Sequence, residues 1–207
     1  MIQKKHLFVM VNILICVFFL FGQEELITKN KAEQELRIRE SIEMMKQDPG
    51  SLYFAKTETP LEEQEKIAQD LLKKIQALSQ TEGFDYPDYD KILEHAREIL
   101  LKAPDVGVVQ MAHWNIHTIF LMNEDNIEAT KALESYVYKY PDDEFQINEA
   151  YDKLCVFATD EEDWGRALYY ADKILENDPD RYPLVLTKAQ ALIRLGEKAA
   201  GKALLER

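Results

Sequence analysis

The chain has 207 residues, of which 30% are charged and 46% hydrophobic, enough for one substantial core or a short array of repeats. Glycine and proline number only seven each, which disfavours all-β folds with many tight turns and indicates a mostly helical protein. The formal net charge of −13 repels phosphate backbones and anionic lipid headgroups, so we expect no nucleic-acid partner.

Residues 1–22 have the composition of a secretory signal peptide. Lys4 and Lys5 precede an apolar run of 16 residues that ends at Gly22, and the polar sequence QEE follows at once. The run is shorter than the roughly 20 residues of a transmembrane helix, although Leu20 stands where a cleavage site usually has a small residue. An uncleaved signal anchor is therefore the alternative. The two lysines predict a body outside the cytoplasm, either periplasmic or secreted from a bacterial cell.

Residues 23–87 predict an amino-terminal region of two helices, which we interpret as a cap or as a divergent extra unit of the array that follows. The first helix ends at Asp48-Pro49-Gly50, and a connector with an apolar patch at 52–54 follows. The second opens at Thr59, a candidate N-cap, with Pro60 in the first helical position. Its apolar stripe consists of Leu61, Ile67, Leu71, Leu72, Ile75 and Leu78.

A repeat becomes visible from Asp88 onward. Three segments align without gaps, and each begins with aspartate and ends with proline sixteen positions later: 88–104, 125–141 and 163–179. The prolines lie 37 and 38 residues apart, a period that indicates a helical solenoid. Partner helices are predicted between and after these segments, at 106–122, 144–159 and 183–195. The short connections favour antiparallel pairs that stack on their neighbours.

The repeat resembles the tetratricopeptide repeat (TPR). The last aligned segment is similar to the second helix of that family through Trp164, Ala167, Tyr170, Ala171, Leu175 and Pro179. The stretch 186–204, with Ala189, Leu192 and Gly196, resembles the junction of one unit. The first-helix positions are matched by Tyr151, Leu154, Cys155 and Ala158, and in the earlier unit by His113, Ile116, His117 and Phe120. The resemblance covers residues 88–207 and implies an all-α fold, an α-solenoid of antiparallel helix pairs.

The chain departs from the family's pattern at several points. The two earlier units carry three or four extra residues before the next second helix. A histidine and a cysteine stand where glycine is usual, and Lys188 stands where leucine is usual.

The resemblance also implies a partner-binding face, because the first helices of the family line a concave surface that holds peptides. Carried over by position, this face comprises Met111, Trp114, Thr118, Leu121, Met122, Asp152, Val156, Asp160, Leu186, Gln190, Ile193 and Arg194. It is apolar at one end and acidic in the middle, which suits an extended or helical segment with apolar anchors and some positive charge. The alternative is that Trp114, Leu121 and Met122 simply pack against the amino-terminal helices.

Two histidines and two acidic clusters are candidate metal sites. His113 and His117 lie four positions apart on one helical face and could share a metal or form a pH-sensitive contact. Trp114 stands where zinc-protease spacing has glutamate, so we interpret both histidines as structural or groove-lining. The clusters at 142–144 and 160–163 lack the glycine of a calcium loop and lie at predicted helix starts, so we interpret them as helix caps.

The sequence contains no phosphate loop, nucleophile elbow or dinucleotide-binding glycine pattern, and we expect neither a cofactor nor an enzyme. Cys16 lies in the leader, and Cys155 is predicted to be buried on a helix face. We therefore predict a non-enzymatic protein–protein interaction scaffold, exported across the inner membrane, with a protein or peptide partner. The first alternative is a membrane-anchored subunit of a cell-envelope assembly, held only through residues 1–22. The other is a hydrolase or carbohydrate-associated accessory protein with an unrecognised site.

Overall fold

A computed structural model of the chain describes residues 28–48, 51–79 and 87–206. The predicted signal segment, residues 1–22, lies outside these ranges. Within them every regular element is a helix, which confirms the predicted all-α class. The helices are α1 (28–47), α2 (Leu61–Ser79), α3 (Tyr89–Lys102), α4 (Val109–Met122), α5 (Asn126–Lys139), α6 (Glu144–Asp160), α7 (Trp164–Leu175), α8 (Tyr182–Arg194) and α9 (Lys198–Leu205).

Three of these helices begin with an aspartate cap of the same kind. The carboxylates of Asp88, Asp125 and Asp163 each accept a hydrogen bond of 3.1 Å from the backbone N–H three residues later. Such a cap pairs one of the free N–H groups of the first turn and places negative charge at the positive end of the helix dipole. Asp143 caps α6 similarly, through the N–H of Gln146 at 3.2 Å. Capping is thus confirmed for one aspartate of each acidic cluster.

Helix α4 begins at Val109, three residues later than the sequence indicated. The carbonyl of Val106 instead accepts a hydrogen bond of 3.0 Å from Val109 within a turn. The Val106 side chain is buried in a small apolar cluster with Ala68 of α2 and Ala103. Helix α2 begins at Leu61, one residue later than predicted. The burial of Val106 and the local turn therefore set the start of α4 more than helix propensity does, while the one-residue difference at α2 is within the usual variation of helix ends.

The chain divides into two compact units. The central unit comprises Ile38–Phe157, and the terminal unit comprises the described residues up to Arg37 together with those from Ala158 onward. In the central unit α2 contacts α3, α3 contacts α4, and α4 contacts α5. The core of this unit includes Leu71, Ile92, Leu93, Ile99, Leu100, Ile116, Ile119 and Phe120.

In the terminal unit α7 contacts α8, and α8 contacts α9. Gly196 ends α8 with a left-handed backbone (φ 98°), which glycine adopts without steric cost. Gly201 lets α9 approach α8 closely, since a Cβ there would lie 2.6 Å from the carbonyl oxygen of Ala189. Ion pairs of 2.7 Å between Lys31 and Glu176 and of 2.6 Å between Lys188 and Asp172 add polar links.

Candidate functional site

One stripe of α4 faces a cleft in the central unit. Met111, Asn115, Thr118 and Met122 follow one another at intervals of three or four residues, which places them on one side of the helix. Met111 and Met122 are 49% and 53% exposed, so two large apolar side chains meet solvent along the same stripe. Three of these four residues, all except Asn115, belong to the partner-binding face predicted from the sequence.

The opposite walls of this cleft come from α2 and α3. They consist of Leu72, Ile75 and Ser79 from α2 and of Tyr89, Ile92 and Ala96 from α3, while Ala112 and Ile119 complete the α4 side. The cleft encloses about 220 Å³. We call it the α2–α4 cleft. Most of its lining is aliphatic or aromatic, so it suits an apolar side chain better than a polar or charged ligand.

The other two predicted residues of α4 lie away from this cleft. Leu121 is half-buried and packs against the core of the central unit. Trp114 is also half-buried, and its ring centroid lies 4.4 Å from that of His117 and 5.1 Å from that of Tyr136. Contacts of this kind stabilise the junction of α4 with α5.

The remaining predicted residues do not line the α2–α4 cleft. On α6, Asp152 is half-buried, while Val156 and Asp160 are exposed. On α8, in the terminal unit, Leu186, Gln190 and Arg194 are exposed and Ile193 is half-buried. The guanidinium of Arg194 lies over the ring of Trp164 at 5.4 Å, a cation–π contact within the terminal unit.

The two histidines of α4 are buried packing residues, as the sequence indicated. His113 is 0% exposed, and its Nε2–H donates to the carbonyl of Ala132 at 3.1 Å. His117 donates through Nδ1–H to the carbonyl of Trp114, and its Nε2 accepts from the hydroxyl of Thr118 at 3.3 Å. Burial lowers the pKa of His113 to about 3 and that of His117 to about 4. Both imidazoles are therefore neutral near pH 7.

A cluster of aromatic rings surrounds His113. Tyr53, from the connector after α1, stacks on the imidazole with centroids 4.9 Å apart, and Tyr136 and Tyr140 of α5 approach it edge-on at 5.5 and 5.7 Å. Burial raises the pKa of Tyr140 to about 12. Sequence reasoning did not find this cluster, because Tyr53 lies outside the repeat. The apolar patch at 52–54 was the only local signal of a buried contact.

A polar network joins this cluster to the start of α6. The amide of Gln110 donates to the carboxylate of Asp143 at 2.6 Å and to the hydroxyl of Tyr136 at 3.1 Å. The Tyr136 hydroxyl in turn donates to Asp143, and burial together with this carboxylate raises the pKa of Tyr136. The network holds α4, α5 and the α5–α6 turn together through groups that are only partly exposed.

Within the described residues, no group of three or more His, Cys, Asp or Glu side chains is placed to hold a metal ion. Over the same ranges, no helix is both long and apolar enough to cross a membrane. The predicted burial of Cys155 is confirmed. No protein-family model matches the chain, and neither a curated protein nor a solved structure matches it significantly.

Proposed function

We propose that this chain is a non-enzymatic protein–protein interaction scaffold that binds a protein or peptide segment. The observation that carries the proposal is the α2–α4 cleft, an apolar opening with exposed methionines at positions 111 and 122. Methionine is flexible and polarisable, which makes it common on surfaces that accommodate varied apolar side chains. An apolar concave site with exposed apolar groups along its rim is typical of a surface that binds a partner or ligand.

The proposed partner carries apolar anchors and positive charge. The lining of the cleft favours an aliphatic or aromatic anchor, as in the recognition of helical or extended peptides. The formal net charge of −13 attracts a basic segment and increases its rate of encounter. Both properties belong to a segment with apolar residues at helical or alternating spacing and lysine or arginine between them.

We propose further that residues 88–207 build a TPR-like solenoid. Two observations support this proposal. The aligned aspartates 88, 125 and 163 cap three helices in the same way, as expected of one unit repeated three times. Lys188 of α8 stands where the family usually has leucine, and it makes a 2.6 Å ion pair with Asp172 of α7. The contact between these two helices is therefore kept although the residue type differs.

Residues 1–22 support export across the inner membrane, with the body in the periplasm or outside a bacterial cell. Retention of the same residues would instead make the protein a membrane-anchored subunit of a cell-envelope assembly. Determination of the first residue of the protein recovered from its own cells separates these alternatives. A start near Gln23 indicates cleavage, and an intact chain in the membrane fraction indicates an anchor. An intact chain in the cytosol would contradict export.

Affinity capture with substituted protein tests the interaction proposal. The double variant Met111→Ser, Met122→Ser removes both exposed methionines of the cleft. Met44→Ser is the matched control, since Met44 is 67% exposed on α1 and does not line the cleft. A partner recovered with the wild type and the control should be lost from the double variant, while circular dichroism shows unchanged helix content. Recovery of the same partners with all three proteins would overturn the assignment of the cleft.

A further inference from the structure

A second cavity of the central unit combines charged and apolar walls. It lies between the connector after α1, α3 and α5, and encloses about 450 Å³. Its lining consists of Met45, Asp48, Ser51, Leu52, Tyr53, Arg97, Leu101, Glu128 and Lys131. We call it the Tyr53 cavity. Among the described residues it shares no lining side chain with the α2–α4 cleft, so the two are separate candidate sites.

Tyr53, which lines this cavity, carries a buried hydroxyl without a hydrogen-bond partner among the described residues. The side chain is only 4% exposed because its ring stacks on His113 at 4.9 Å, yet its hydroxyl has no hydrogen-bond partner among the described residues. Burial raises the pKa of Tyr53, Glu128 raises it further, and Arg97 opposes them. Tyr53, Glu128 and Arg97 all line the cavity. A buried hydroxyl without a partner is unfavourable, and a bound polar group that accepts a hydrogen bond from it would relieve this cost.

The lining of the Tyr53 cavity includes both a positive and a negative side chain, Arg97 and Glu128. Arg97 lies over the ring of Phe120 at 5.2 Å, and within the described part of the chain no carboxylate lies within ion-pair distance of it. Its guanidinium can therefore receive a carboxylate in the bidentate manner that arginine favours. Glu128 also lines the cavity, and its carboxylate pairs with Lys131 at 2.6 Å. Met45, Leu52 and Leu101 add apolar surface to the lining.

We propose that the Tyr53 cavity binds a small apolar zwitterion, of the size of a free amino acid or a dipeptide. The ligand carboxylate lies against Arg97 and accepts a hydrogen bond from the Tyr53 hydroxyl. The ligand ammonium lies against Glu128, and the apolar side chain contacts Met45, Leu52 and Leu101. A cavity of 450 Å³ is at the small end of ligand sites, which suits this size class. The opposite charges of the walls distinguish a zwitterion from a simple anion or cation.

Titration calorimetry on the full chain tests the proposal with L-leucine and the dipeptide Leu-Leu as probes. At least one of the two should bind saturably. N-acetyl-leucine lacks the ammonium and leucinamide lacks the carboxylate, so each should bind at least about tenfold more weakly than the zwitterion. Saturable binding of either zwitterion supports the proposal and indicates the preferred length. No saturable binding at millimolar concentrations, or equal affinity for the blocked analogues, would overturn it.

Matched variants locate the site. Arg97→Gln should weaken binding by about tenfold or more, and Tyr53→Phe by about fivefold. The first control is Arg39→Gln, which changes an exposed arginine outside the cavity. The second is Tyr140→Phe, which removes another buried hydroxyl that has no partner among the described residues and does not line the cavity. Thermal unfolding shows that all four variants are folded. Equal effects of Tyr53→Phe and Tyr140→Phe would indicate that the Tyr53 hydroxyl only holds a structural water, and would overturn the proposal.

Discussion

Acidification should destabilise the central unit, because His113 and His117 are buried as neutral imidazoles. In the folded protein burial depresses their pKa values to about 3 and about 4, while a histidine in an unfolded chain has a pKa of about 6.5. Below pH 6.5 the unfolded chain therefore binds protons that the folded chain does not, and the free energy of unfolding falls with decreasing pH. The loss begins near pH 6.5 and ends near the folded-state pKa values.

The size of the loss in unfolding free energy depends on how far the pH falls below the unfolded-state pKa of the histidines. Each histidine contributes a slope of about 1.4 kcal/mol per pH unit below its unfolded-state pKa, which amounts to about 2 kcal/mol between pH 7 and pH 5. The two together lower the free energy of unfolding by about 4 kcal/mol over this interval. Carboxylates titrate mainly below pH 5, so the histidine contribution dominates the chosen range.

Urea denaturation at pH 7, 6 and 5, followed by circular dichroism, measures the effect. His113→Phe keeps a ring to stack on Tyr53 but cannot titrate, so its sensitivity to acid should be about 2 kcal/mol smaller than that of the wild type. Tyr140→Phe alters the same aromatic cluster without removing an imidazole and should keep the full sensitivity. A wild-type stability that is flat from pH 7 to 5, or an undiminished slope in His113→Phe, would refute the reasoning.

Three further substitutions test the packing of the fold. Asp163→Ala should lower the free energy of unfolding by about 1 kcal/mol in urea denaturation, because the cap of α7 is lost. The control Asp90→Ala, at an exposed position of α3, should lower it by less than about 0.5 kcal/mol. Equal losses would contradict the capping role. Gly201→Ala should lower the free energy of unfolding by about 1–3 kcal/mol, because the new Cβ would lie 2.6 Å from a carbonyl oxygen of α8. The control Gly107→Ala places its Cβ in open space and should leave the melting temperature unchanged. Leu133→Ala should cost about 2–5 kcal/mol because the side chain is 0% exposed, and a urea midpoint equal to that of the wild type would contradict its place in the core.

The helical class and many helix positions could be predicted from local signals alone. Asp88, Asp125 and Asp163 mark helix starts because a cap depends only on the next three residues, and α3, α5 and α7 begin directly after them. The predicted start of α4 was wrong because of a distant contact. Val106 looks helical in sequence, but its burial against Ala68, 38 positions earlier, holds it in a turn.

The candidate sites were less predictable, because an apolar stripe does not reveal whether it lies in a core or along a cleft. Ile75 has the same helical spacing as the core residue Leu71, yet only Ile75 lines the α2–α4 cleft. Met111 was predicted at a partner-binding face and lines that cleft, while Leu121, predicted with it, packs on the core. The contact of Tyr53 with His113 joins a connector to α4 across 60 positions, and no local pattern encodes it.

Site-specific photocrosslinking in living cells tests the central claim, that the α2–α4 cleft holds a protein partner, most directly. A benzophenone amino acid is introduced in place of Met122 at the cleft or in place of Met44 on an exposed face of α1. We expect one defined crosslinked product from position 122, absent from position 44 and competed away by an excess of unlabelled wild-type protein. Identical products from both positions, or none from position 122, would contradict the claim.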